Sequence, residues 1–397
     1  MKKLMDVCDI QYGYAFDSKK FSNDSSFIPL IRIRDVKRGY SETFYSGTYS
    51  KEYIVHRNDL LIGMDGEFNI ARWNSNEALL NQRVCKIVAK NGTNEEYLRF
   101  AMSRKLKEIE EKTSFVTVKH LSAKELKKIV LKMPNIEKQS KISNILVKLE
   151  DTIKVYKKEL EKLNSLIQAR FIELFGDPKY NALKWPIYML GDLFTIGSSK
   201  RIYQSEQVPE GIPFLRISDL MNKIEKADES ANLFISEELY EELQERDLVP
   251  VAGDILVTSR GTLGQCYEIK EQDKFYFQVG MISWLYNRDE KITNNYLMFL
   301  FQMPGFRLQI DEVPEGSTVN YLSIARLKNL RIMCPSIELQ QQFAAFVVKV
   351  NKSKFVIHKF LYCTTHNTQS IIKPRPNTKE SGKIRGRETT CRRILTF

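Results

Sequence analysis

Asp254, Glu268 and Lys270 are the residues whose types and spacing come nearest to a catalytic motif. An aspartate followed by Glu-x-Lys is how many metal-dependent nucleases bring two carboxylates and a lysine around Mg²⁺. The pattern is short, and a related segment earlier in the chain has Asp59 at the position of Asp254 but Trp73 at the position of Glu268. We therefore expect the aspartate to be a turn residue at the start of a strand. A stand-alone Mg-dependent DNA nuclease remains an alternative.

Other catalytic motifs are absent from the sequence. It contains no phosphate-binding G-x-x-x-x-G-K-[ST] loop, no Asn-Pro-Pro-aromatic motif of amino-methylating DNA enzymes and no G-x-S-x-G nucleophile motif. The six cysteines form no C-x-x-C pair and the four histidines are scattered, whereas structural zinc sites need closely spaced ligands. We predict a chain with no catalytic residues, no metal site and no cofactor of its own.

The charge of the chain indicates a polyanionic partner. Its 61 Lys and Arg residues exceed its 49 Asp and Glu residues, which gives a formal net charge of +12 at pH 7. A basic balance favours nucleic acid as the partner, although half of the excess lies in residues 362–397, with eight basic and two acidic residues. The sequence has no apolar run long enough to span a bilayer and no signal-peptide pattern, so we expect a cytoplasmic protein.

The chain is an internal repeat of two halves. Similar segments occur in the same order in both halves, at residues 28–36 and 212–220, 59–62 and 254–257, and 117–122 and 318–323. The offset between the members of a pair drifts slowly along the chain, as loop insertions would make it. Three ordered matches indicate a tandem duplication.

Each half has the sequence pattern of a mixed α/β domain. The Ile-Pro-x-[Ile/Leu]-Arg segment predicts a short buried strand with an arginine beside it, and Asp-[Ile/Leu]-Leu predicts a strand entered through a turn. Helical spacing follows at residues 97–111 and 295–310, and a strand-like run closed by proline follows at residues 129–133 and 330–334. We place the two domains at residues 1–136 and 177–335.

A long helix is predicted after each domain, at residues 137–176 and 336–361. Apolar residues recur there at alternating steps of four and three, a narrow heptad seam that favours a coiled coil over a single core helix. The first helix would be about 58 Å long at about 1.5 Å per residue, and we expect the two helices to pair antiparallel. Lys354 is a polar seam position in the second helix. The apolar seam consists of Ile142, Leu146, Leu149, Ile153, Tyr156, Leu160, Leu163, Ile167, Phe343, Val347, Val350, Ile357 and Leu361.

Residues 362–397 depart from the repeat. The seam stops at Leu361, the composition becomes basic and rich in threonine, and no terminator like Phe175-Gly176 follows. We predict an aberrant, disordered basic tail. One interpretation is that this tail contacts DNA phosphate. Our hypothesis is that a frameshift or recombination has replaced the original end of the second helix.

This arrangement resembles the specificity subunits of type I restriction–modification systems over residues 1 to 361. The resemblance rests on two similar junctions, residues 121–139 and 322–340, and on a first long helix that ends at Phe175-Gly176. The junctions depart from the family at Lys138 and Leu339, where the family usually has Glu before Gln.

The resemblance implies an α+β fold of two tandemly duplicated target-recognition domains joined by two long helices in an antiparallel coiled coil. It also implies that each domain binds one half of a split site in double-stranded DNA. The helices would set the spacer between the halves and bind two methyltransferase subunits, which use S-adenosylmethionine. Restriction subunits, which use ATP and Mg²⁺, would complete the complex. The chain itself would supply specificity without catalysis. A non-catalytic coiled-coil scaffold is a further alternative.

Residues near predicted loops are candidates for DNA contacts, because Arg donates well to guanine and Asn to adenine. Positions that differ between the halves, such as Met64 against Ser259, are better candidates for base readout than repeated ones such as Arg32 and Arg216. The same holds for Lys119 against Asn320. For each candidate, a solvated charge or a structural ion pair is the competing interpretation. The candidates are Arg32, Arg34, Lys37, Arg72, Lys119, Arg216, Arg260, Thr262 and Asn320.

Overall fold

The computed structural model describes residues 1–112, 120–226, 230–312 and 321–372. Contacts between Cα atoms divide the chain into two compact units, which we call unit 1 (Met1–Val155) and unit 2 (Tyr156–Phe397). The boundary lies inside a continuous helix of 40 residues. Each unit has sheets and a hydrophobic core of its own.

Unit 1 is built on an antiparallel four-stranded sheet with the strand order β2-β10-β7-β8, beside a five-stranded sheet β3-β5-β4-β9-β6 and a two-stranded sheet β1-β11. The pair β4–β9 is parallel. The helices are α1 (Leu4–Val7), α2 (Ile33–Arg38), α3 (Glu95–Lys112), α4 (Ala123–Lys128) and the first part of α5 (Ile136–Phe175). The strands are β1 (Lys2–Lys3), β2 (Cys8–Tyr12), β3 (Phe21–Ser22), β4 (Ile28–Ile31), β5 (Phe44–Tyr45), β6 (Ile54–Val55), β7 (Leu60–Gly63), β8 (Asn69–Arg72), β9 (Ala78–Leu80), β10 (Val84–Ala89) and β11 (Val130–Leu131).

Unit 2 repeats this topology, with the strand orders β13-β20-β17-β18, β14-β16-β15-β19 and β12-β21 and a parallel pair β15–β19. The predicted duplication is therefore confirmed. The helices are the second part of α5, α6 (Leu190–Leu193), α7 (Ile217–Lys226), α8 (Glu237–Glu245), α9 (Asn294–Leu300), α10 (Pro304–Asp311), α11 (Ile324–Lys328) and α12 (Ile337–Ile372). The strands are β12 (Ile187–Met189), β13 (Thr195–Gly197), β14 (Gln207–Val208), β15 (Ile212–Leu215), β16 (Phe234–Ile235), β17 (Ile255–Thr258), β18 (Cys266–Glu268), β19 (Tyr276–Phe277), β20 (Ile282–Tyr286) and β21 (Arg331–Met333).

A helix covers the central sheet of each unit. In unit 1, β7 and β10 pack against Leu98, Met102 and Leu106, which recur every four residues on one face of α3. In unit 2, β17 and β20 pack against Tyr296 and Leu300 of α9. Removal of these apolar side chains from water is the main favourable term in folding of each unit.

The predicted helix at residues 97–111 is confirmed as α3, but the predicted helix at residues 295–310 is two helices, α9 and α10. Pro304 occupies the first turn of α10, where its missing N–H and fixed φ are tolerated. Within a continuous helix the same proline would remove a backbone hydrogen bond, so the chain turns at residues 301–303 instead.

The second long helix extends past its predicted end. α5 ends at Phe175, one residue from the prediction, whereas α12 continues to Ile372, eleven residues beyond Leu361. Residues 362–372 contain no glycine or proline, so nothing breaks the helix before Pro374. Thr364 lies at the next heptad position after Leu361 and is buried, so the seam continues as well. The prediction of disorder is wrong for residues 362–372, and residues 373–397 lie outside the described part of the chain.

The second part of α5 packs antiparallel to α12 within unit 2. The rings of Phe171 and Phe343 lie 5.4 Å apart, and those of Tyr156 and Phe360 lie 4.8 Å apart. As the residue number falls along α5, the number of its partner on α12 rises. This direction of pairing confirms the predicted antiparallel coiled coil of the two long helices.

Most of the predicted seam is removed from solvent. Leu146, Ile167, Phe343, Val347, Val350 and Ile357 are buried, whereas Leu149, Ile153, Tyr156, Leu160, Leu163 and Leu361 are partly buried. Ile142 is exposed, which its heptad position did not predict. The polar seam residue Lys354 is partly buried, and burial lowers the pKa of its ammonium group.

A buried glutamine fixes the start of each long helix. In unit 1, the Gln139 amide donates to the carbonyls of Gly92 and Pro134 and accepts from the N–H of Asn94. In unit 2, Gln340 donates to the carbonyls of Lys291 and Pro335 and accepts from the N–H of Thr293. These bonds satisfy backbone groups at the junction, which explains why Gln recurs there.

Candidate nucleic-acid interface

The loops that follow β7 and β17 differ in length but begin with the same backbone arrangement. We call residues 64–68 exit loop 1 and residues 259–265 exit loop 2. In unit 1, the N–H of Met64 donates to the carbonyl of Arg83 over 3.0 Å, and its carbonyl accepts from the N–H of Leu121 over 2.7 Å. In unit 2, Ser259 makes the same two bonds, with Met281 over 2.8 Å and with Leu322 over 3.0 Å.

A glycine turns each exit loop at the same place. Gly66 and Gly261 both have φ of 67°, in the left-handed region that favours glycine. Both glycines stand seven residues after the strand-entry aspartate, Asp59 or Asp254. The equivalence of Met64 with Ser259 and of Asp65 with Arg260 is therefore fixed by backbone geometry as well as by sequence.

The side chains on exit loop 1 form a charged cluster. The Asp65 carboxylate pairs with the Arg83 guanidinium over 2.9 Å and also contacts Nδ1 of His120. The Arg83 side chain is 50% exposed and that of His120 is 43% exposed, whereas that of Asp65 is only 19% exposed. The carboxylate therefore lies beneath two exposed groups that can donate hydrogen bonds.

Exit loop 2 has different side chains on the same backbone. The Arg260 guanidinium lies over the ring of Tyr321, 4.8 Å from its centroid, and Tyr321 is the residue equivalent to His120. The Ser259 hydroxyl is buried and bonds that of Ser283. Across the four described stretches of the chain, no carboxylate forms an ion pair with Arg260, so its donors face solvent.

The start of α2 or α7 lies next to each exit loop. Ile33, the first residue of α2, lies against Gly63 at the end of β7, and Ile217, the first residue of α7, lies against Gly261. Lys37, in the last turn of α2, pairs with Glu67 of exit loop 1 over 2.9 Å. The side chains of Arg32, Arg34, Lys37 and Arg216 are all exposed. These candidates therefore cluster with the exit loops at one end of the central sheet in their own unit.

Buried aspartates hold the backbone at both helix starts. Asp35 accepts a hydrogen bond from the N–H of Arg32 over 2.8 Å, and Asp219 accepts one from the N–H of Arg216 over 3.0 Å. The recurrence of the Arg-x-x-Asp pattern thus follows from a backbone requirement at the strand-to-helix turn. This requirement leaves both guanidinium groups at the surface.

Arg72 differs from the other candidates because its guanidinium is engaged within unit 1. It donates to Glu96 over 2.6 Å, to Glu95 over 3.0 Å and to the carbonyl of Asn58 over 2.7 Å. These bonds hold β8 against the first turn of α3. We therefore leave Arg72 out of the proposed DNA-contacting set.

The strand registers also correct the pairing of Trp73 with Glu268. Arg72 pairs with Leu60, and Glu268 pairs with Ile255, so the residue equivalent to Glu268 is Arg72. In unit 2, the Asn294 amide donates to Glu268 and to the carbonyl of Gly253, both over 2.6 Å. Glu268 thus has the structural position that Arg72 has in unit 1, and the catalytic interpretation of Glu268 is not favoured.

The remaining members of the nuclease-like motif have separate partners. Asp254 accepts from the N–H of Val251 and from Nε1 of Trp284, each over 2.9 Å, and burial raises the pKa of its carboxyl group. Lys270 lies beside the ring of Tyr267. Among the residues with described positions, no cluster of three or more His, Cys, Asp or Glu side chains is arranged to hold a metal ion.

Thr262 is an exposed residue of exit loop 2, and its carbonyl accepts from the hydroxyl of Thr258. Two further candidates, Lys119 and Asn320, lie outside the described residues. Sequence reasoning missed Asp65, Arg83, His120 and Tyr321. The offsets between the halves already paired Asp65 with Arg260 and His120 with Tyr321, so comparison of every equivalent pair would have found three of them.

A duplicated α/β fold whose equivalent exit loops carry exposed polar and charged side chains fits a protein with two recognition domains. A family model described as the type I restriction modification DNA specificity domain matches residues 1–165 and 183–361. The chain belongs to this family of specificity subunits, and its function is DNA sequence recognition in a type I restriction–modification system.

Individual relatives agree with this assignment. The chain is 29% identical over 403 residues to the type I restriction enzyme EcoBI specificity subunit of Escherichia coli, covering 92% of this chain and 83% of the relative. It is 23% identical over 337 residues to the MjaVIII specificity subunit of Methanocaldococcus jannaschii, covering 80% and 78%.

A solved structure shares the fold. The S subunit of a type I restriction–modification system from M. genitalium superposes with a TM-score of 0.52 at 14% identity, over 93% of both chains. Within the described residues, none of the helices has the length and apolarity needed to cross a membrane.

Proposed function

We propose that the chain is a non-catalytic specificity subunit in which unit 1 and unit 2 each bind one half of a bipartite DNA target. The observation that carries this proposal is the duplicated exit loop, in which one backbone arrangement presents different side chains in the two units. Equivalent positions with different donors and acceptors are what recognition of two different half-sites requires.

The partners in this proposal supply the chemistry. Two methyltransferase subunits would dock on the long helices and use S-adenosylmethionine to methylate adenine, and restriction subunits would bring ATP and Mg²⁺. Exposed apolar side chains on both helices support docking there, since Val155, Leu166, Phe355 and Val356 are all at the surface. The long helices would set the spacer between the two half-sites.

The test is to co-express the chain with a methyltransferase subunit from a type I system encoded beside it, in a host that lacks adenine methylation. Modified adenines are then mapped across the host genome. We expect a split motif of two short sequences separated by a spacer of fixed length. Absence of methylation, with a stable complex of both subunits in hand, would contradict the proposal.

A further inference from the structure

We propose that residues 260 and 321 in unit 2, and residues 83 and 120 above Asp65 in unit 1, determine the base specificity of the two half-sites. Arg260 donates to guanine in one half-site, and Arg83 with His120 donates to base acceptors in the other. This inference rests on the proposed bipartite recognition of DNA and names the residues and hydrogen-bond chemistry that carry it out.

The backbone hydrogen bonds shared by the two exit loops do not use the side chains at these positions. The two equivalent hydrogen bonds of Met64 and of Ser259 are made by main-chain atoms. In exit loop 2, the hydroxyls of Thr258 and Ser259 add further bonds, to the carbonyl of Thr262 and to Ser283. The side chains at positions 65, 83, 260 and 321 take no part in these bonds. Asp65 and Arg260, at equivalent places, have opposite charges. Such a change is expected where two domains recognise different sequences on a common scaffold.

Arg260 has the geometry of a preoriented donor. Its guanidinium carbon lies over the ring of Tyr321, and this cation–π contact restrains a side chain that is exposed to solvent. A planar fork of N–H groups matches O6 and N7 of guanine, which is the most common specific contact in the major groove. Tyr321 is therefore a positioning residue, and Arg260 is the residue that contacts the base.

In unit 1 the carboxylate has the positioning role. Asp65 is the least exposed member of its cluster and contacts both Arg83 and His120. An arginine and a histidine held side by side present N–H donors that differ in number and direction from those of Arg260. The half-site recognised by unit 1 therefore differs from that recognised by unit 2.

The test uses the full chain in its methyltransferase complex and two readouts, the genome-wide methylation motif and methylation of oligonucleotides with every base at each half-site position. For Arg260→Gln we expect one guanine position in one half-site to lose about 10- to 100-fold of its discrimination. The other half-site stays unchanged. For Arg83→Gln and His120→Gln we expect the change in the opposite half-site.

The chain offers matched controls for both kinds of side chain. His56 pairs with Glu77 over 3.1 Å at the entry end of β7, far along the strand from Asp65, so His56→Gln is the control for His120→Gln. Arg246 pairs with Glu242 on α8 and is the control for Arg260→Gln. Neither control variant should alter the motif.

Two outcomes would overturn the inference while leaving the proposed function intact. One is a normal split motif that is unchanged in Arg260→Gln. The other is an equal loss of DNA affinity for all sequences, together with a slope of log affinity against log salt that is shallower by about one. This result would make Arg260 a phosphate contact.

If Arg260→Gln abolishes methylation altogether, Arg260→Lys is the second variant, because lysine keeps the charge but lacks the planar fork of N–H groups. Recovery of binding without recovery of guanine selectivity then supports the inference, and full recovery overturns it. If the unaltered complex methylates no split motif, the proposed function itself fails.

Discussion

Different side chains satisfy the equivalent backbone carbonyl in the two units, a guanidinium in unit 1 and a neutral amide in unit 2. Arg72 donates to the carbonyl of Asn58 and to Glu95, whereas Asn294 donates to the carbonyl of Gly253 and to Glu268. The donor stands on the strand in unit 1 and on the helix in unit 2. Both units therefore have a hydrogen-bonded contact between strand and helix at this place, although different residue types form it.

Replacement of Arg72 tests its structural role. Arg72→Ala removes the bonds to Glu95, Glu96 and the carbonyl of Asn58, so we expect a loss of about 1 to 3 kcal/mol in the free energy of unfolding. Thermal or urea denaturation of the full chain measures this loss, and the exposed Arg34→Ala is the control. An altered methylation motif with unchanged stability would instead make Arg72 a DNA contact.

Glu96 gives a prediction for pH dependence. Burial raises its pKa, but hydrogen bonds from Arg99 and Arg72 outweigh burial and hold the pKa below 4.5. Since the folded pKa is lowered, the stabilisation is present above about pH 4.5 and is lost as the pH falls through the folded value. We expect Glu96→Gln to cost about 1 to 2 kcal/mol of unfolding free energy at pH 7.

Denaturation of Glu96→Gln and the unaltered chain at a series of pH values measures this difference. It should shrink steadily below pH 4.5 as the carboxyl group of the unaltered chain becomes protonated. Glu245→Gln, at an exposed position of α8 in unit 2, is the control. A difference that stays constant down to pH 3 would count against a charge-assisted origin of the stabilisation.

Residue roles were predictable where the requirement is local. The aspartate at positions 59 and 254 was expected to be a strand-entry turn residue, and both accept an N–H from three residues earlier. The partners of Arg72 lie on a different element more than twenty residues away. A single sequence does not reveal such a contact, and Arg72 therefore looked like a surface cation.

At the scale of elements, the junction glutamines test how each long helix is fixed. Gln139→Ala removes the partner of the Asn94 N–H and of two carbonyls at a partly buried junction, so we expect a loss of about 1 to 3 kcal/mol. Gln340→Ala should have a similar effect in unit 2. Hydrogen exchange of the full chain locates the loss in the altered unit, and the exposed Gln341→Ala is the control.

If either substitution increased hydrogen exchange equally in both units, the idea that each glutamine stabilises only its own unit would be contradicted. Gln139→Glu sharpens the test, because a carboxylate still accepts from Asn94 but no longer donates to the carbonyls of Gly92 and Pro134. We expect this variant to be destabilised despite its nearly identical shape.

Helices with a strong heptad periodicity were predictable from the sequence, whereas the residues at which helices end were less predictable. The heptad pattern placed α5 within a residue at each end, because a 40-residue amphipathic repeat leaves few alternatives. The end of α12 was misplaced because the loss of apolar residues was taken as the loss of helix. A helix can continue through polar residues where no glycine or proline interrupts them, and polar residues like Thr364 also occupy seam positions.

For the whole molecule, the basic residues beyond α12 give a prediction about salt. Deletion of residues 373–397 removes eight basic and two acidic residues and keeps the helix. If these residues bind phosphate, the slope of log affinity against log salt should become shallower by about 0.9 for each phosphate that the deletion leaves without a cation. Binding of specific and random duplexes by the complex, measured from low to high salt, checks this.

The control for this deletion keeps the length of the tail and replaces its eight basic residues with glutamine. It should behave like the deletion, because the expected effect depends on charge. Loss of the split methylation motif at low salt in the deletion alone would indicate instead that the segment contributes to assembly.

The duplicated architecture was predictable as a whole because it rests on order and spacing along the chain. Ordered matches survive loop insertions, and the central four-stranded sheets of the two units have the same strand order. The recognition residues were only partly predictable. Arg260 was a candidate because it lies in a predicted loop. Arg83 lies between β9 and β10, and it approaches Asp65 of exit loop 1 only when the sheet has folded. That proximity depends on the folded sheet.

The backbone hydrogen bonds of the exit loops also bear on how such a protein evolves. Because main-chain atoms of Met64 and Ser259 hold these loops, codon changes at positions 65 and 260 meet little selection for folding. New preferences for DNA sequence can then arise through single mutations, without compensating changes in the hydrophobic cores of the two units. A host cell that must distinguish its own genome from changing foreign DNA gains variety at these positions while the scaffold stays the same.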